Sequence, residues 1–381
     1  MDHTVQKLRE KLSSFLEQSN PKYSRLALFG AGNTYQLYKK SIEIENLFFE
    51  YFLDNDPAKY TSGHMDGKAV CSMRECAEKG LLSNDTLVLI VSNGKARTEI
   101  QAQLDEAGVR SMPMDAFVLR LHREEVIRVF DSLHDDFSKQ TYAHVLLTRA
   151  GEEEQMPAEI YCPDAYYALP PFLRIAEDDV FVDLGAYVGD TVENYIWKSL
   201  GTFGRIYAFE PERRNIAALE SRVKRLNREW ALDDDKIKII PAGVGRKNGA
   251  IHMNGTSAGS PSLGARLDTQ STDGEIINVY SIDEFFHGKP EHITAIKADI
   301  ESFEYDMLLG AEQTIKENHP RLAICIYHGV SDLYRIPLLI KEYCPDYRLA
   351  IRHHSMTLAE TVLYAYPMNT QSWIKDFQER P

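Results

Sequence analysis

Val180-Phe181-Val182-Asp183-Leu184-Gly185-Ala186-Tyr187-Val188-Gly189-Asp190-Thr191 decides the fold. The apolar run reads as a buried strand. It closes on an acidic residue, and the glycines after it allow a tight turn and close approach to a ligand before a helical pattern begins. A carboxylate at that point attracts an ammonium or a sulfonium and repels a pyrophosphate. The reading therefore favours S-adenosylmethionine over a dinucleotide as ligand, with Asp183, Gly185, Ala186, Gly189, Asp190 and Thr191 around it.

About twenty residues on, Ile206-Tyr207-Ala208-Phe209-Glu210-Pro211 is a second strand ending in a carboxylate, placed to accept ribose hydroxyls. Gly243, beyond the Ile237–Ile240 run, is counted with the cofactor set. Ile296-Lys297-Ala298-Asp299-Ile300-Glu301-Ser302-Phe303-Glu304 marks the end of a fourth strand, and Tyr327-His328-Gly329 the end of a fifth. Ligands of open α/β sheets lie beyond the carboxyl ends of the strands, so Asp299, Glu301 and His328 are expected to face the same crevice as Asp183. A hydroxyl must lose its proton to attack a methyl group well, and Asp299 or His328 meets that need. The competing reading makes Asp299 and Glu301 helix caps and His328 a hydrogen-bonded loop residue. Asp299 with Glu301 could also hold a divalent cation, but nothing in the sequence demands a metal.

Working outward, the runs Val180–Leu184, 205–209, 237–240, 294–298, 321–327, 347–352 and 360–366 alternate with helical patterns at 191–200, 213–230, 303–316 and 333–343. The last two runs are about eight residues apart, too close for a crossover helix, and are expected to pair antiparallel. The Gly-, Ser- and Thr-rich stretch 249–274 reads as an insertion with a hairpin. Within it, 254–273 is the candidate lid or acceptor loop.

A second, smaller alternating series lies upstream. Leu26–Phe29 ends in Gly30-Ala31-Gly32, Leu47–Leu53 ends in Asp54, and Leu87–Val91 ends in Ser92-Asn93-Gly94. Gly30, Gly32 and Asp54 form half of a dinucleotide fingerprint, with Tyr35 where the third glycine belongs. This region is either a nucleotide site or a structural or oligomerisation module. The boundaries read as 1–114 for this Rossmann-like α/β domain, 115–160 for a helical connector that reads as helix over 119–147, and 161–381 for the larger domain. The Tyr- and Pro-rich segment 161–172 reads as a packed connector, and His353 and His354 as rim residues.

The chain has 381 residues, 43 Lys and Arg against 57 Asp and Glu, and a formal charge of −14. That balance disfavours nucleic acid and anionic membrane as partners, since both need a cationic footprint. Five scattered cysteines without metal spacing read as reduced thiols in a cytoplasmic protein. The first twenty residues are an amphipathic helix, and no apolar run is long enough to span a membrane. The expected partner is a small-molecule or glycan acceptor; a homo-oligomer is compatible with the sequence.

The segments Asp183–Thr191, Tyr207–Pro211, Ser281–Phe285, Ile296–Glu301, Ala323–His328, Ile336–Leu338, Arg352–Ser355 and Glu360–Tyr364 together resemble the FkbM-type methyltransferases, over about residues 160 to 367. The resemblance implies a class I methyltransferase sheet, doubly wound and mostly parallel with an antiparallel C-terminal strand. It also implies bound S-adenosylmethionine and O-methylation, often of sugar hydroxyls. Ser302 stands where the family usually has glycine. The rival readings are an oxidoreductase or nucleotide-sugar enzyme centred on the N-terminal domain, and a non-catalytic cofactor-binding protein.

Overall fold

The computed structural model describes residues 2–254, 266–268 and 275–368. They divide into two units. One comprises Met1–Tyr161, Tyr327–Arg335 and Ser355–Ala359; the other comprises Cys162–Ile326, Ile336–His354 and Glu360–Pro381.

The first unit is built on a six-stranded sheet in the order His64–Met65, Lys68–Cys71, Tyr51–Leu53, Arg25–Phe29, Thr86–Ile90, Ser111–Pro113. Every pairing is parallel except that of the first two strands. All five residues of Thr86–Ile90 are buried, as expected of a parallel strand covered on both faces. The stretch 119–147, expected to be helical, is spanned by three helices, Met114–Leu121, Arg123–Ser132 and Asp136–Ala150. Asp135 starts the third by accepting the Ser138 amide at 2.7 Å. Rather than forming a separate connector, these helices belong to the body of the first unit. Arg9 of the opening helix pairs with Asp131, and Asn20 donates to the Phe117 carbonyl. The later segment Tyr327–Arg335 joins this unit as well: the Tyr142 hydroxyl donates to the Leu333 carbonyl, and the Tyr334 hydroxyl donates to Glu45.

The second unit carries a seven-stranded sheet in the order Arg348–His353, Thr361–Tyr366, Arg321–Cys325, Ile293–Ala298, Val180–Leu184, Arg205–Phe209, Ile237–Ile240. Thr361–Tyr366 runs antiparallel to both its neighbours, and the remaining pairs are parallel. Val180–Leu184 sits mid-sheet, where the chain winds first to one side and then to the other, so its carboxyl end is the ligand-binding position of such a sheet. The expected helix over 303–316 breaks into Glu304–Leu309 and Glu312–Asn318. The break falls at Gly310, whose carbonyl leaves the helix ladder to accept the Ser281 hydroxyl and the Asp283 amide.

A smaller four-stranded sheet takes up the insertion. Gly249–Asn254 pairs antiparallel with Arg266–Asp268 and with Glu275–Tyr280, which also pairs with Gly243–Val244. Most of the candidate lid at 254–273 lies outside the described residues. The five cysteines are free thiols, all buried except the half-buried Cys162. Among the described residues no helix is long and apolar enough to cross a membrane.

Candidate active site

The turn after Val180–Leu184 is tied to its neighbouring strands by backbone. The amides of Gly185 and Ala186 donate to the Phe209 carbonyl at 3.0 and 2.9 Å, and the Asp299 amide donates to Leu184. Gly185 has φ of +77°, and a Cβ there would lie 1.9 Å from the Asp299 carbonyl oxygen. Only glycine fits that closeness. The turn ends at Gly189, and Asp190 and Thr191 open the helix Asp190–Lys198.

Asp183 is fully buried and meets Lys297 Nζ at 3.0 Å, although neither carboxylate oxygen has a hydrogen bond of good geometry. Lys297 is 3% exposed and donates to the Gly185 carbonyl at 2.7 Å. Burial pushes the Asp183 carboxyl up to about 6, against the opposing pull of Lys297. Burial would push the Lys297 ammonium down, but the fields of Asp183 and Asp299 outweigh it and its pKa is raised.

Glu210 is buried and accepts three protein donors: the Tyr187 amide at 2.9 Å, the Glu212 amide at 2.9 Å and the Asn215 side chain at 3.1 Å. Burial raises its pKa, and these donors oppose the rise. Asp299, just past the end of Ile293–Ala298, accepts the Tyr166 hydroxyl at 3.1 Å. Tyr166 has φ of +68° and gives its amide to the Tyr364 hydroxyl at 2.8 Å, and its ring lies 5.4 Å from Lys297 Nζ. The Tyr166 hydroxyl is also 3.6 Å from Cys325 Sγ.

Of the residues expected from sequence, Asp183, Gly185, Ala186, Gly189, Asp190, Thr191, Glu210, Asp299 and Glu301 all lie at the carboxyl ends of neighbouring strands in one sheet. Gly243 lies in the smaller sheet, paired with Val279. His328 is buried in the segment that groups with the first unit. Glu301 and Ser302 take φ of +54° and +77°, so Ser302 holds the left-handed backbone that a glycine would adopt without strain. The sequence reading missed Lys297 and, for Tyr166, preferred a packed connector to covering the cofactor or shaping an acceptor cleft. His353 is not a rim residue: it is fully buried, with Nδ1 2.8 Å from the Thr361 hydroxyl.

Residues 183–353 match the family model described as the methyltransferase FkbM domain. Residues 183–353 thus carry the match to a methyltransferase FkbM domain, most of it in the second unit. The solved structure of methyltransferase FkbM from Methylobacillus flagellatus KT shares the fold. It is 22% identical, with a TM-score of 0.55, over 95% of this chain and 98% of that one. An rRNA methylase from Streptococcus thermophilus is 12% identical over 54% of this chain and 97% of that chain, with a TM-score of 0.33. A putative rRNA-methylase from Clostridium thermocellum is 9% identical over 50% and 88%, also with a TM-score of 0.33. No curated protein matches the chain.

The residues of this FkbM domain fit S-adenosylmethionine by their chemistry. A carboxylate offers about four acceptor positions, and Glu210 keeps one beyond its three protein donors for a ribose hydroxyl. Three carboxylates, Asp183, Glu210 and Asp299, stand at these strand ends with the Lys297 ammonium beside them, a set that suits a ligand carrying a sulfonium and an ammonium.

Proposed function

We propose that this FkbM domain moves a methyl group from S-adenosylmethionine to a hydroxyl of a sugar, glycan or related natural product. The observation that carries the reading is the Asp299 carboxylate, held by the Tyr166 hydroxyl at 3.1 Å beside the glycine turn. When bound, S-adenosylmethionine supplies a methyl group on positively charged sulfur. The chain's own residues do the rest. Glu210 and the turn from Gly185 to Gly189 orient the donor, and Asp299 takes the proton from the acceptor hydroxyl as its oxygen attacks. Tyr166 keeps the Asp299 carboxylate aimed. Alignment of the acceptor contributes on the order of 7–11 kcal/mol toward the barrier.

The test measures transfer of labelled methyl to a panel of hexose, deoxyhexose and nucleotide-sugar acceptors, with S-adenosylhomocysteine binding followed in parallel. Asp299→Asn is expected to lose roughly 10²–10⁴-fold in turnover while retaining product affinity. Full turnover in that variant removes Asp299 as the base. Label found only on nitrogen or carbon in the products overturns hydroxyl transfer.

A further inference from the structure

Lys297 has no assigned task in methyl transfer, yet its ammonium is sealed inside the sheet. A lone charge in such a place is costly, and it persists only with paired and hydrogen-bonded neighbours. Two contacts define what it does. One is Asp183 at 3.0 Å, from the strand that starts the cofactor turn; the other is the Gly185 carbonyl at 2.7 Å, inside the turn itself. The same turn is also approached closely by the Asp299 carbonyl, just past the end of the strand that carries Lys297. The ammonium therefore joins the two strand ends between which a cofactor would sit.

We infer that Lys297 is a positioning residue whose ion pair with Asp183 forms a charge-neutral brace for the glycine turn, so that Asp183 shapes the pocket through Lys297 rather than by touching the cofactor. This rests on the S-adenosylmethionine reading given above. It changes the meaning of the strand-end acid. A strand-end Asp facing a ligand contributes its charge directly, whereas here a protein cation stands against that charge.

Calorimetry on the full-length protein separates the two roles with S-adenosylhomocysteine, which carries the ammonium, and 5′-methylthioadenosine, which lacks it. In the brace, Asp183→Asn leaves an unbalanced buried ammonium, distorts the turn and weakens both ligands together, by about tenfold or more. Adding Lys297→Met makes the pair neutral again and restores both ligands to within about threefold of wild type, because a buried ion pair replaced by neutral side chains is well tolerated. A direct contact to the ligand ammonium predicts the opposite: Asp183→Asn weakens S-adenosylhomocysteine alone, the second substitution rescues nothing, and the brace is overturned. Should Asp183→Asn fail to fold, the double variant against wild type decides. A folded double with near-normal affinity supports the brace; a double that is unfolded or binds more than about thirtyfold weaker overturns it. Wild-type protein that binds neither ligand would instead refute the cofactor reading itself, a separate and recognisable result.

Discussion

Each unit has a glycine turn after its central strand and an acid at the end of the next, and the two turns are built alike. In the first unit Asp54 Oδ2 accepts the Ala31 amide at 2.7 Å; in the second Glu210 accepts the Tyr187 amide at 2.9 Å. A Cβ on Gly30 would lie 2.9 Å from the Val91 carbonyl, as one on Gly185 would meet the Asp299 carbonyl. In both turns, then, the glycine is demanded by the neighbouring strand end before any ligand is considered. The difference is charge. Lys59 sits 3.0 Å from Asp54 Oδ2 and neutralises it, and the strand end facing Gly30 is Val91-Ser92 with no acid. In the second unit Glu210 has no ion-pair partner among the described residues, and the facing strand end supplies Asp299. A glycine turn is a joint by default; the carboxylates of Glu210 and Asp299 around it make it a place for a cationic ligand.

The comparison breaks first at the buried ion pairs. Arg321 in the second unit pairs closely with Asp179 and donates to the carbonyls of Pro171, Arg174 and Thr294, fastening the connector to the sheet. In the first unit Arg149 stands 3.7 Å from Asp115, whose oxygens have no hydrogen bond and whose pKa burial pushes up. Arg321→Met should cost about 3–5 kcal/mol, the loss typical of a broken buried pair. Asp115→Asn should cost less, because the amide escapes the desolvation penalty that the buried carboxylate carries. Denaturant unfolding of both variants checks this, and equal losses would refute the distinction.

The two strand-end acids come next. Glu210→Ala should weaken S-adenosylhomocysteine binding by about tenfold or more, since a lost charge-assisted hydrogen bond costs ~1.5–3 kcal/mol. Asp54→Ala should leave that affinity unchanged and lower stability instead, because its bonds run to its own turn. Calorimetry showing the reverse pattern would move the ligand site to the first unit.

The strands were legible in sequence because sheets covered on both faces demand continuous apolar runs, and the boundaries of Val180–Leu184, Arg205–Phe209 and Ile237–Ile240 are as read. The helix break at Gly310 was not, because its cause lies in the distant hydrogen bonds from Ser281 and Asp283 to the Gly310 carbonyl. Lys297 escaped notice for a related reason. A lysine in a strand reads as the solvent face, and its burial follows only once Asp183 is known to lie on the adjacent strand in register with it. Tyr166 reaches Asp299 across 133 residues, a contact that no local pattern encodes. His353, by contrast, had a usable signal: it alternates with the half-buried Arg352 and the buried Ile351 at the strand end.

A smaller effect sharpens the view of the turn at Asp299. Ser302 pays the left-handed cost that glycine avoids, so Ser302→Gly should stabilise the protein by about 0.5–1 kcal/mol, less the entropy glycine loses on folding. A midpoint that falls would mean the serine side chain makes a bond worth more than the strain.

The smallest effect is a pH response of opposite sign in the two units. His122 in the first unit lies 2.8 Å from Glu45 Oε2, 3.9 Å from Glu125, and stacks on Tyr334 at 4.6 Å. The hydrogen bond to Glu45 raises its pKa, outweighing burial and the field of Arg335. His354 in the second unit has Nδ1 2.6 Å from the Cys162 carbonyl, so Nδ1 must donate, leaving Nε2 to accept the Tyr364 hydroxyl at 2.9 Å. Burial lowers its pKa, with Arg352 adding to the effect and the Cys162 carbonyl and Asp164 opposing it. A raised histidine lends stability below its unfolded pKa of about 6.5 that fades as pH rises through its folded value. A lowered one lends stability above about 6.5 that is lost as pH falls. Between about pH 7.5 and 5.5, hydrogen exchange corrected for its intrinsic rate should therefore slow around Ile42–Leu47 and Leu119–Val126 and quicken around Arg348–Tyr366. His122→Gln should abolish the first change and His354→Gln the second. If both regions move in the same direction, the assigned tautomer of His354 or the Glu45 pairing of His122 is wrong.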